Sequence, residues 1–210
     1  MLKLVNLNRT KWGVNYLHDY IPPKKWDKYG NSESIDLSKK IWEYKNFEDD
    51  AMDFFTQQLM EAIAYLSNNE MASYVKNLAL VPIPPSKVNK PSPMKTSINI
   101  IKDWYEDGIT ESKFNCAKNI YNYSNLLTRI SDVNTAHKEY PRPTFDEHIE
   151  SIQCSKNNLS KDYMTFILMD DVTTTGITMN ACKKILLNHG ANGRFIYKLA
   201  ISGTVGGQDD

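Results

Sequence analysis

Cysteine is scarce in this chain, with three in 210 residues, at Cys116, Cys154 and Cys182. Single and far apart, they suggest neither a disulfide framework nor a cysteine-rich zinc site. Net charge is absent as well. Twenty-five Lys and Arg residues balance 25 Asp and Glu residues, so no global field draws the chain to nucleic acid or to an acidic membrane. No apolar run approaches the length of a membrane span, and the opening six residues make no signal peptide. The chain therefore reads as cytoplasmic and free of membrane. Internal repeats and low-complexity tracts are missing, and no Gly-x-x-x-x-Gly-Lys-Ser/Thr loop of the nucleotide hydrolases occurs. What remains is length enough for one globular core with an appended segment.

The richest stretch is 164–178. Residues 166–169 form a short apolar run of the kind expected for a strand buried on both faces. Two adjacent acids, Asp170 and Asp171, follow and cannot both lie unpaired in a core, so they mark the strand's emergence at the carboxyl edge of a sheet. Thr173, Thr174, Thr175, Gly176, Ile177 and Thr178 then make a tight, hydroxyl-rich turn in which Gly176 is free to take a positive φ. Met179, Cys182, Ile185 and Leu186 share one face of a following helix that Gly190 stops. A loop feeding a helix N-terminus presents unpaired N–H groups and the positive end of a dipole, which suits a phosphate. The carboxylates repel phosphate but accept hydrogen bonds from neighbouring alcohols, or help hold a hard cation such as Mg²⁺. A ribose 5-phosphate satisfies both halves.

Before this stretch the chain falls into shorter pieces. Residues 1–46 carry Trp12, Tyr16, Tyr20, Trp26, Tyr29, Trp42 and Tyr44, too many rings for a disordered tail. They read as an N-terminal aromatic-rich arm or hood, either a lid over a ligand or a packing arm against a main domain at 47–205. Residues 206–210 read as a frayed tail. A helix runs from Asp49 or Asp50 to about Leu66, with Phe55, Leu59, Ala62, Ile63 and Leu66 on its apolar face. A strand at 78–81 closes in a Pro-rich loop containing Ser86 and Lys87, with Lys90 and Lys95 beyond it. Residues 94–107 look helical, 125–130 look like the next strand, and 131–144 form a polar loop with His137 and Arg142. A helix with Phe145, Ile149 and Ile152 inward follows, His148 being as fit for its surface as for a function. Residues 194–202 supply a last strand, with 203–207 frayed. The fold class is α/β: a mostly parallel central sheet with helices on both faces.

The run Asp170-Asp171-Val172-Thr173-Thr174-Thr175-Gly176-Ile177-Thr178 resembles the phosphoribosyl-pyrophosphate (PRPP) signature of type I phosphoribosyltransferases. The resemblance implies that Asp170 and Asp171 hold the ribose hydroxyls, directly or with Mg²⁺ through water, and that 173–178 wraps the 5-phosphate. It implies that Ser86 and Lys87 grip pyrophosphate, with Lys87 catalytic beside the two acids. Arg129, His137 and Arg142 become candidate contacts of a mobile loop, against the plainer reading of each as a solvated residue. Order and spacing over residues 41–205 are most similar to the competence-associated (ComF-like) branch. The chain departs from that branch in three places. No cysteine-rich zinc ribbon precedes residue 47, Met94-Lys95-Thr96-Ser97-Ile98-Asn99 stands where Arg-Gly-Phe-Asn-Gln is expected, and His137 with 148–151 replaces a Gln-x-x-Leu…Arg-x-x-Asn pattern. The implied activity is transfer of phosphoribose from Mg²⁺–PRPP to a nitrogen nucleophile that the sequence does not identify, with release of pyrophosphate. The alternative is a non-catalytic PRPP- or nucleotide-sensing protein of the same fold, in a DNA-handling or phage-defence setting. A homodimer or a protein partner stays open.

Overall fold

A computed structural model describes residues 7–10, 13–71, 76–114, 117–134, 142–159 and 164–204. Its centre is a six-stranded sheet built from β1 (Asn8–Arg9), β2 (Asn15–Tyr20), β3 (Asn77–Pro82), β4 (Asn119–Asn122), β7 (Met164–Thr173) and β8 (Ile196–Thr204), in the spatial order β1-β2-β8-β7-β3-β4. Every neighbouring pair is parallel except β1 with β2. A second, two-stranded antiparallel sheet joins β5 (Leu127–Arg129) to β6 (Ile152–Cys154). The helices are α1 (Trp26–Tyr29), α2 (Ser32–Lys45), α3 (Asp49–Asn69), α4 (Pro93–Glu106), α5 (Phe145–Glu150) and α6 (Ile177–Asn188).

Alternation along the central strands divides the core in two. Leu78, Leu80, Ile167, Met169, Leu199 and Ile201 pack with Ile41, Tyr44, Phe55, Leu59 and Ile98 of α2, α3 and α4. Their neighbours Ala79, Val81, Phe166, Leu168 and Ala200 pack with Met179, Cys182, Ile185 and Leu186 of α6 and with Leu127, Ile152 and Cys154 of the small sheet. A strand with helices on both sides must be apolar at successive positions, and β7 is buried from Met164 through Met169. The α/β class with a mostly parallel sheet flanked by helices is thus the observed architecture.

The helix termini follow local chemistry. Asn31 caps α2 by accepting the Ser34 N–H at 2.8 Å. Pro93 opens α4 at a position whose N–H needs no partner. Thr144 and Glu147 form a reciprocal capping box at the start of α5.

Several sequence expectations need correction. The described part of the segment 1–46 is no arm laid on a finished domain. Its β2 is a strand of the main sheet, pairing from Asn15 opposite Leu199 to Tyr20 opposite Thr204. Ile41 and Tyr44 of α2 are fully buried. That pairing also carries β8 on through Gly203 and Thr204, expected to be frayed, with Gly203 lying under the Tyr16 ring. The strand after α4 is β4, four residues of which Ile120 is the buried one, too short and polar to stand out. Residues 127–129, expected in the main sheet, pair instead with β6. In α5 it is His148 that is buried, whereas Phe145 is 39% exposed and Ile152 already belongs to β6.

Candidate functional site

The site arises where two parallel connections diverge. From β3 the chain passes through α4 to β4 on one side, and from β7 it passes through α6 to β8 on the other. The crevice at the carboxyl ends of β3 and β7 is therefore the topological switch point of the sheet, where open α/β sheets present ligands. β3 ends at Pro82, opposite Met169, while β7 continues to Thr173. Asp170 and Asp171 consequently lie inside a strand that has lost its β3 neighbour but keeps β8, Asp170 standing opposite Ala200. The sequence expectation ended this strand at the acids, and pairing with β8 is what extends it. Beside them opens a cavity of about 340 Å³.

Every residue of 170–178 borders that cavity. Gly176 takes φ 69° and ψ 9°, the left-handed geometry expected of it, at the N-cap of α6. The N-cap residue Gly176 has no side chain with which to cap the helix, and Ile177, Thr178 and Met179 of the first turn border the same cavity as the loop. The Thr175 hydroxyl lies 3.5 Å from the Ile177 N–H, and Thr174 Oγ1 shares a 3.1 Å hydrogen bond with Thr204 Oγ1.

The two acids carry few internal partners. Asp170 Oδ1 accepts the Asp171 N–H at 2.9 Å, and Asp171 Oδ1 accepts the Val172 N–H at 2.6 Å. Burial, then the charge of Asp171, pushes the Asp170 carboxyl well above the usual carboxylate range, against the opposing pull of Lys45. Lys45, the last residue of α2, brings Nζ to 3.4 Å from Asp171 Oδ1. Burial works to lower the Lys45 pKa, but the fields of Asp171, Asp170 and Tyr20 overcome it and leave it raised. Among the described residues no three His, Cys, Asp or Glu side chains converge to hold a metal by themselves. The all-oxygen pair Asp170 and Asp171 fits a hard cation that draws its other ligands from a phosphate and water, the usual habit of Mg²⁺.

The remaining expected residues divide. Ser86 and Arg142 border the cavity, as does Lys90. Lys87 does not: its Nζ pairs with Asp132 Oδ2 at 3.3 Å, both side chains half exposed, and the Val88 N–H donates to Asp132 Oδ1 at 2.7 Å. Arg129 borders the cavity from β5 rather than from a mobile loop. It is buried and donates to the Pro85 carbonyl at 2.9 Å, the Ser151 hydroxyl at 2.5 Å and the Pro84 carbonyl at 3.4 Å. Its job is to hold the Pro-rich loop against α5, and burial lowers its pKa. His137 lies outside the described residues.

Two titratable residues of the site were not singled out as contacts by sequence reasoning. One is Lys45, 125 positions before the acids and sequentially part of an unrelated helix. The other is His148, whose Nε2 is 3.3 Å from Thr178 Oγ1 on the threonine-rich loop. Burial, then the nearby Arg129 charge, lowers the His148 pKa to about 4, so the imidazole is neutral. Its Nδ1 is buried with no hydrogen-bond partner among the described residues. Helical periodicity around Ile149 was the available signal for His148, and it pointed to the wrong face.

Comparison with protein-family models returns no match for this chain, and comparison with curated proteins returns none either.

Proposed function

We propose that the chain binds PRPP, or another ribose 5-phosphate, together with Mg²⁺, and transfers the phosphoribosyl group to a nitrogen nucleophile. One observation carries the reading. A carboxylate pair and a helix N-terminus headed by a left-handed glycine open on a single cavity, as a sugar bearing vicinal alcohols at one end and a phosphate at the other requires. Around that cavity Lys45, Lys90, Arg129 and Arg142 outnumber the two acids, so an anionic ligand is favoured away from the carboxylates.

In this reading the first-turn N–H groups of α6 and the hydroxyls of Thr174, Thr175 and Thr178 bind the 5-phosphate. His148, neutral, orients Thr178 within the cavity lining. Asp170 and Asp171 accept hydrogen bonds from the ribose alcohols, and their negative field stabilises positive charge growing on the ring. When bound with PRPP, Mg²⁺ held beside the acids supplies charge neutralisation to the pyrophosphate. The bond from C1 to the pyrophosphate oxygen breaks, and pyrophosphate leaves with the electron pair. The nitrogen lone pair forms the new bond to C1, and the proton lost from nitrogen passes to solvent. Lys90 and Arg142, rather than Lys87, are the side chains that border the departing group.

Lys87 also favours a second reading. A cation expected at the leaving group does not border the cavity and lies beside Asp132 instead, and Arg129 gives its donors to the protein. A site lacking those charges binds PRPP without cleaving it. Calorimetry with PRPP and Mg²⁺ tests the shared premise, and absence of binding removes both readings. Pyrophosphate release against a panel of bases and amines separates them: release with any acceptor identifies a transferase, and binding without release identifies a sensor.

A further inference from the structure

Lys45 occupies an unusual place for the last residue of a helix. The turn before it is immobilised by Tyr44, fully buried, whose hydroxyl is 3.0 Å from Ser97 Oγ and whose ring packs edge-on against Phe55 at 5.6 Å. Ser97 Oγ in turn lies 2.7 Å from Thr56 Oγ1, so α2, α3 and α4 are tied together at this point. The backbone of Lys45 is thereby fixed at the rim of the cavity, while its four-carbon stem remains adjustable.

The ammonium makes one contact with the acid pair, at 3.4 Å from Asp171 Oδ1, with the two side chains 37% and 25% exposed. A pair that is neither bidentate nor dry is weak. It is also the contact that brings positive charge against two adjacent carboxylates. A divalent cation at these carboxylates would meet the ammonium across the same oxygens. Two like charges a few ångströms apart in a half-buried crevice repel strongly. Either the cation is kept out or the lysine swings away.

We infer that Lys45 is a built-in, displaceable counter-cation of the acid pair, which holds the site closed to a bare divalent ion and yields when the ion arrives with an anionic ligand. This rests on the reading of Asp170 and Asp171 as the pair that faces the metal. The lysine thereby makes cation binding conditional. Mg²⁺ alone competes with the ammonium at a disadvantage, whereas Mg²⁺ carried by a phosphate brings negative charge that the displaced ammonium can meet within the same cavity.

The test is calorimetric titration of the full chain with Mg²⁺ alone and Mn²⁺ alone. Lys45→Met keeps the length of the side chain and deletes its charge, whereas Lys45→Arg keeps the charge. Lys45→Met should bind either metal about tenfold more tightly than the wild type, and Lys45→Arg should stay at the wild-type affinity. Unchanged or weaker metal binding by a folded Lys45→Met overturns the inference. Should Lys45→Met fail to fold, Lys45→Gln takes its place under the same criterion. The metal titration contains no PRPP, so the two readings fail separately. Tighter metal binding by Lys45→Met with no PRPP binding by the wild type removes the phosphoribosyl reading and leaves the counter-cation standing. PRPP binding by the wild type with no gain in metal affinity does the reverse.

Discussion

Asp170 and His148 place opposite demands on pH. The folded-state pKa of Asp170 lies above its unfolded value, so the folded chain retains a proton that the unfolded chain releases. Its contribution to stability is present below the unfolded carboxylate pKa and is lost as pH rises through the raised folded value. Asp170→Asn keeps the acceptor that receives the Asp171 N–H and removes the buried charge. Its melting temperature should exceed that of the wild type at alkaline pH, with the gap closing toward acid, while PRPP binding falls. A lower melting temperature at alkaline pH would contradict the burial argument. His148 runs the other way, its pKa lowered from 6.5 to about 4, so its contribution is full above 6.5 and is lost as pH falls from there through about 4. In the Asp170→Asn background, the loss of melting temperature across that window should flatten when His148→Gln is added. An unchanged slope would mean that the imidazole is not the group titrating.

At the scale of the element, the strand–turn–helix unit β7–α6 lines the cavity because of how one turn is built. Gly176 holds a left-handed conformation at the point where the loop becomes a helix, and the loop surrounds the cavity. A β-branched side chain there strains the backbone and stands in the space a phosphate needs. Gly176→Val should abolish binding of ribose 5-phosphate, with a stability loss of about 1–3 kcal/mol and the overall fold kept. Calorimetry with ribose 5-phosphate and circular dichroism check the two halves, and wild-type affinity in the variant would remove the loop from the site. This unit was legible in the sequence because its signals are local: an apolar run, paired acids, a threonine-rich bend with glycine, then a helical period. β4 was not legible in the same way, and β5, read as a strand at 125–130, was assigned to the wrong sheet. Each is a strand of three or four residues whose partner is distant in sequence, and Asn119–Asn122 carries one buried side chain to mark its face.

At the scale of the whole molecule, the sheet is completed by its first described strands. β2 covers the edge of β8 along five register pairs, and Val14, Ile21, Ile41 and Tyr44 supply buried surface from residues 1–46. A chain beginning at residue 47 would expose the β8 edge and open the core beneath α2. Such a truncation should lose its cooperative thermal transition and associate through the bared edge, whereas an independent arm could be removed with little effect. Differential scanning calorimetry and gel filtration of the truncated chain distinguish these outcomes. A sharp transition in a monomeric truncation would restore the arm.

The amino-acid sequence by itself determined the class of the fold, the strand that carries the acids and the conformation of Gly176. Each of these follows from interactions among near neighbours in the chain: side-chain period, turn chemistry and the cost of burying adjacent charges. Tertiary structure alone decided that β2 joins the sheet, that Lys87 meets Asp132 outside the cavity lining, and that Lys45 and His148 stand beside residues far along the chain. Those outcomes turn on which distant surfaces meet and how much water they exclude, and neither spacing nor composition encodes that meeting. Strand pairing and charge pairing are both long-range here, so the motif announced a site while the packing of α2 and α5 chose which charges share it.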